Sequence, residues 1–184
     1  MKVLHVGCGG GKVTSHFDGW EEVRLDINPE AKPDIVASMV DLGDIGTFDA
    51  VYCSHSLEHL YPHEVKKALA EFKRVTPNGF VFLVVPDLEG VTLSDEVLYQ
   101  SGAGPVTAID MFYGYTNWLE GTPAMAHHTG FTKAILERAL AEAGFAVISV
   151  VRDDIYNLVA IAFTSKPSFD VRTMLNLKET EVAV

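Results

Sequence analysis

Three kinds of residue in this chain have the types and spacing to do chemistry: closely spaced glycines, single carboxylates and histidines. Val3-Leu4-His5-Val6-Gly7-Cys8-Gly9-Gly10-Gly11 is a β-prone run that stops at glycine. Such a turn lets backbone N–H groups approach a ligand that side chains would hold off, and it opens nucleotide-type cofactor sites in doubly wound α/β folds. Asp26 follows Gly7 by 19 residues, the spacing at which an acid accepts from both vicinal hydroxyls of a ribose. A turn aspartate ahead of Asn28-Pro29 is the plainer alternative. His55-Ser56-Leu57-Glu58-His59 matches the inverted zinc-protease pattern. That pattern works on a helix, whereas here it closes a strand-like run, so no metal is expected. His127, His128, Asp110 and Tyr113 have side chains that could take a proton from an acceptor.

Two other nucleotide motifs fail on single residues. A dinucleotide fingerprint counted from Gly7 requires glycine at position 12, which is Lys12. A P-loop reading of Gly11-Lys12 lacks both its leading glycine, where Val6 stands, and the following Ser or Thr, where Val13 stands. A nicotinamide-dependent oxidoreductase is therefore the weaker alternative. Cys8 and Cys53 are the only cysteines, without paired spacing, and imply neither a disulfide framework nor a zinc knuckle.

These residues need elements to hold them. Val23 to Ile27, Asp34 to Ser38 and Phe48 to Cys53 read as further strands, with a short helix expected over Lys12 to Phe17. Pro62 to Val75 has an amphipathic helical pattern, with Val65, Leu69, Phe72 and Val75 on one face. Phe80 to Val85 is continuously apolar, as in a strand buried on both faces of a parallel sheet. Residues 88–129 break the alternation with five glycines and five aromatics and read as a functional insertion or lid. Thr132 is placed to cap a helix running to Ala143. Ala146 to Val151 and Leu158 to Phe163 are strands too closely joined to be anything but antiparallel.

In this order the sequence resembles the class I S-adenosylmethionine-dependent methyltransferases, in particular the type 11 group. The resemblance is carried by residues 3–11, Leu25-Asp26-Ile27, Met39-Val40-Asp41-Leu42, residues 48–60, Thr76-Pro77-Asn78-Gly79-Phe80 and His128-Thr129-Gly130-Phe131-Thr132. It implies a Rossmann-like, doubly wound, mostly parallel seven-stranded sheet with a C-terminal antiparallel hairpin, and S-adenosyl-L-methionine as cofactor. It also implies roles. Backbone of the turn, from Gly7 through Cys8 and Gly9 to Gly11, contacts the methionine portion and the nearby ribose. Asp26 holds the ribose hydroxyls with Ile27 against the adenine, and Asp41 accepts from the adenine amine beside Leu42. Ser54 and His55 sit near the methionine amine and sulfonium. His5 stands where the family often carries an acid, and is either a weak acceptor there or a core residue. His128 is the first choice of base, ahead of His127, Asp110 and Tyr113.

The domain is expected to span 1–164, with 88–129 as substrate lid and 165–184 as a tail. Fourteen basic against twenty-five acidic residues, net −11, disfavour binding to a nucleic-acid backbone. No apolar run approaches the ~20 residues of a membrane span, and no signal peptide is evident, so a cytoplasmic location is expected. The expected activity is methyl transfer to a small-molecule or sugar-containing acceptor. A catalytically inactive cofactor-binding module is the alternative, and a homodimer is left open.

Overall fold

A computed structural model describes residues 1–167. Short apolar runs pair because their backbone groups must find partners once buried. Strands β1 (Lys2–Val6), β2 (Glu21–Asp26), β3 (Ile35–Val36), β4 (Ala50–Ser54) and β5 (Phe80–Pro86) run parallel. A hairpin of β6 (Val97–Ser101) and β7 (Gly104–Thr107) stands apart as a two-stranded sheet. Strands β8 (Val147–Arg152) and β9 (Asn157–Phe163) complete a seven-stranded sheet of order β3-β2-β1-β4-β5-β9-β8, in which β9 is antiparallel to both neighbours. This is the mostly parallel, Rossmann-like α/β sheet expected, with its antiparallel hairpin. The order reverses between β1 and β4, whose carboxyl ends carry the glycine turn and the histidine motif. Ligands of open α/β sheets bind at such a switch point.

One face of the sheet packs on helices. Helix α1 (Pro62–Val75) begins with proline at its first turn, and Glu64 reaches back to the Tyr61 N–H at 3.0 Å. Its Val65, Leu69 and Phe72 meet Leu4, Val6, Val51 and Leu83 in the main core. A short helix α2 (Ala108–Tyr113) lies in the insertion, and α3 (Lys133–Glu142) adds Leu136 and Leu140 to the same core. The cap of α3 is as expected: the Thr132 hydroxyl accepts from the Ile135 N–H at 3.4 Å. Thr132→Ala should lower the unfolding free energy by about 1 kcal/mol, read as a shift in urea midpoint; a shift below about 0.2 kcal/mol would mean that the cap is idle.

The other face is differently built. Val3, Ala50, Tyr52, Phe80 and Phe82 are covered by Phe17 and Trp20 from around a single 3-10 turn, Ser15–Phe17. The helix expected over Lys12 to Phe17 is absent: six residues between glycines and Asp18-Gly19, two of them β-branched, cannot offset helix nucleation. Aromatic contacts replace it, with Phe17 edge-on to Trp20 at 5.1 Å and stacked on Phe80 at 6.3 Å between centroids.

Residues 88–129 contain more order than the sequence reading found. Gly102-Ala103 turns β6 into β7, and Thr107 and Asp110 form a capping box that starts α2. Two 3-10 turns follow, Thr116–Trp118 and Pro123–Met125. The expected tail, 165–184, lies almost entirely outside the described residues. Among those described, no helix is long and apolar enough to cross a membrane.

Candidate functional site

The glycine turn is wired to β2. Gly7 and Cys8 donate to the Leu25 carbonyl at 2.9 and 3.2 Å, and Gly9 donates to the Asp26 carboxylate at 2.8 Å. The other Asp26 oxygen accepts from the Asn28 N–H, also at 2.8 Å. Gly7 has φ +66°, and a Cβ there would lie 2.2 Å from Ser56 Oγ, so only glycine fits. Cys8 is buried under the turn, and Gly11 closes it by donating to the Cys8 carbonyl at 2.9 Å.

Beside the turn opens a cavity of about 250 Å³, lined by Gly7, Asp26, Ile27, Ser38, Met39 and Ser56 among others. Ile27, 69% exposed, stands at its rim. Asp41 and Leu42 do not reach this cavity. A bridge between Ser38 and Asp41 turns the chain there; Asp41 accepts from Gly43 N at 3.2 Å, and Leu42 is buried in the core. Ser38 and Met39 line the cavity instead. The sequence reading passed over both, although a polar residue two positions after β3 could have been considered.

His5 lines none of the three cavities found. It is buried, shares a 2.7 Å contact with Glu22 through Nδ1, and packs against Tyr52 at 5.1 Å between ring centroids. Burial lowers its pKa from the ordinary 6.5, against the opposing pull of Glu22. Protons therefore bind His5 more readily in the unfolded chain. Its contribution is full above pH 6.5 and is lost as pH falls below that value. The urea midpoint should drop between about pH 7.5 and about pH 5.5, and His5→Gln should flatten that drop. An identical pH profile in the variant would assign the slope to other groups.

At the end of β4 the chain turns through His55, whose φ is +49°. Ser54 faces a cavity of about 640 Å³ on the opposite side of the sheet, and His55 borders that cavity and a further one. That further cavity, about 470 Å³, lies under the insertion and is lined by Glu58, His59, His127, Tyr99, Tyr115 and Trp118 among others. His59 borders both it and the cavity at the glycine turn.

Glu58 is the unusual member. It is 1% exposed, and neither carboxylate oxygen has a hydrogen-bond donor. The nearest cationic candidate, His55 Nδ1, is 3.5 Å away. Burial pushes the Glu58 carboxyl up, but His55, His59 and His127 outweigh it and hold the group below its ordinary value. Burial lowers the pKa of His127, with partial opposition from Glu58.

The four candidate bases separate. His127 faces the larger cavity beneath the insertion, its Nδ1 3.0 Å from the Met111 carbonyl. His128 lines the cavity at the glycine turn and stacks on Tyr61 with centroids 4.2 Å apart. Asp110 borders the second cavity, but its two oxygens already serve Thr107 and Thr116 through four hydrogen bonds of 2.6 to 3.1 Å. Tyr113 is 51% exposed and lines none of these cavities.

Residues 4–83, the stretch from β1 through β5 that carries the turn, Asp26 and the histidine motif, match the family model described as a methyltransferase domain. Those residues form a methyltransferase domain. Its fold is that of the class I S-adenosylmethionine-dependent methyltransferases. The DhpI–SAH complex is 19% identical, with 88% of this chain and 75% of that one covered at a TM-score of 0.57. The glycopeptide N-methyltransferase MtfA complexed with (S)-adenosyl-L-homocysteine is 14% identical, covering 88% and 82% at 0.61. A SAM-dependent methyltransferase from Archaeoglobus fulgidus is 16% identical, covering 88% and 85% at 0.60. At these identities the likeness is one of fold. No curated protein matches the chain in sequence.

Proposed function

We propose that this protein transfers the methyl group of S-adenosyl-L-methionine to a small-molecule acceptor held beneath residues 88–129. The observation that carries this reading is the adjacency of two cavities that share His59 as a wall, one at the glycine turn and one under the insertion. The residues suit the cofactor: Gly7 leaves room that a Cβ would fill, Asp26 offers a carboxylate to ribose hydroxyls, and Ile27 offers an exposed apolar face to adenine. When bound, the cofactor supplies a methyl group on a sulfonium, already activated for in-line displacement.

The chain then has to align the acceptor and exclude water. Tyr99, Tyr115 and Trp118 supply flat apolar surface in the second cavity, suited to a ring or sugar face. Among the candidate bases, His127 has the better claim. It is held neutral by burial, and its Nδ1 is satisfied by a carbonyl, which leaves Nε2 to accept a proton. His128, stacked on Tyr61 at the other cavity, is better suited to wall the cofactor. Asp110 orders the insertion through its caps. The alternative of an inactive module drew in part on His5, which is paired with Glu22 in the core and lines none of the three cavities described above, and in part on the choice of base. Isothermal titration with S-adenosylmethionine and its demethylated product should give binding of one equivalent of each. No heat with either at millimolar concentration would reject the proposal.

A further inference from the structure

We propose that Glu58, His59 and His127 form a binding site for one divalent transition-metal ion, of the zinc or cobalt kind, at the floor of the cavity under the insertion. One ligand atom from each of the three lies within 4.8 Å of the others. Glu58 comes from the 3-10 turn after β4 and His127 from the far end of the insertion, so the fold alone assembles the set.

The second observation is the state of Glu58. A buried carboxylate without hydrogen-bond donors is costly unless a cation sits beside it. Both its oxygens are buried without a hydrogen bond, the one ion-pair contact being His55 Nδ1 at 3.5 Å from Oε1, which leaves Oε2 without a cationic partner facing the cavity it lines. The histidines are prepared in a complementary way. His59 Nδ1 is 3.2 Å from the Ala126 carbonyl and His127 Nδ1 is 3.0 Å from the Met111 carbonyl. A carbonyl can only accept, so each Nδ1 carries a hydrogen, which leaves Nε2 as the nitrogen that can ligate. Carbonyls behind ligating imidazoles, fixing their tautomer, are a general property of metal sites.

Ligand chemistry selects the ion. Two imidazoles and one carboxylate suit zinc, cobalt, manganese, iron or nickel, whereas calcium and magnesium require more oxygens. Tetrahedral ligands about 2.1 Å from an ion lie about 3.4 Å apart, so the side chains close in by rotation as the ion enters. Three protein ligands leave a position open to the cavity, as in sites that bind a substrate or water. The pattern His55-x-x-Glu58-His59 differs from its protease use. It follows a strand, and His127 takes the place of the first histidine.

The ion stands on these residues alone. Only a role in holding an acceptor's hydroxyl or carboxylate oxygen rests on the methyl-transfer reading; with the ion bound, His127 Nε2 is a ligand and is no longer available as the base. Chelator-treated protein should be titrated with cobalt(II) chloride without cofactor. Saturation at one equivalent, with the visible absorption of a four-coordinate ion and its loss on adding zinc, is expected. His59→Gln, His127→Gln and Glu58→Gln should each weaken binding by about tenfold or more, while His63→Gln on α1 should leave it unchanged. Absence of the band at millimolar cobalt, or affinity unchanged from the unaltered protein in both histidine variants, would overturn the site. If these variants fail to fold by circular dichroism, crystals of the unaltered protein soaked in zinc decide the matter. An anomalous peak bonded to all three residues is expected, and no peak there rejects the site. A protein that takes cobalt but not S-adenosylmethionine would sink only the methyl-transfer reading.

Discussion

Gly7→Ala should lose cofactor affinity by a hundredfold or more and melt well below the unaltered protein. Two independent terms add. A non-glycine residue in the left-handed region costs about 1–2 kcal/mol. The added Cβ would meet Ser56 Oγ at 2.2 Å and Ser56 Cβ at 2.6 Å. The hydroxyl can rotate away, but the Cβ is fixed to its backbone, so the turn and the end of β4 must separate. Overpacking of this kind costs about 1–3 kcal/mol, which brings the sum to about 2–5 kcal/mol. Differential scanning fluorimetry and titration with the demethylated cofactor measure the two effects. Affinity within threefold of the unaltered protein would show that the turn yields without consequence.

Asp26→Ala should weaken binding of S-adenosylmethionine by about 10- to 150-fold, from the roughly 1.5–3 kcal/mol of a hydrogen bond to a charged group. The carboxylate already holds Gly9 N and Asn28 N, one on each oxygen. Each oxygen retains a second lone pair for a ribose hydroxyl. The substitution therefore removes the ligand's partner and the brace of the turn together. Asp26→Asn separates the two, because its amide oxygen can still accept one of those bonds. Titration of both variants is the measurement, and unchanged affinity in Asp26→Ala would withdraw the ribose assignment.

Much of the sheet was legible because its signals are local. Phe80 to Val85 is apolar throughout since both faces are buried, and Pro62 with the Val65–Leu69–Phe72 stripe fixes α1 at both its start and its face. Asp26 was legible because its partner, Gly9, belongs to the turn whose spacing drew attention to it. Local signals failed where tertiary contacts decide. Nothing in Lys12 to Phe17 says that Phe17 and Trp20 must cover the sheet. Asp41 was placed by motif order, but a bend at Ser38 turns it outward and brings Ser38 itself to the cavity.

The histidine cluster was the least legible part. His59 and His127 stand with rings 5.1 Å apart although a whole insertion separates them in sequence. No periodicity records such a meeting. The string from His55 to His59 carried half of the signal, and its missing partner was considered only as a base.

The stretch from Trp118 to Met125 walls both cavities: Trp118 and Met125 border the one under the insertion, Ala124 the one at the glycine turn. A methyl donor and an acceptor bound as proposed would both pack against that stretch, so whatever ordering it needs is incurred once for the pair. The two ligands are therefore thermodynamically linked. Each should raise the other's affinity by the same factor, since coupling is reciprocal, and an acceptor should be held poorly by a protein that has not yet taken its methyl donor.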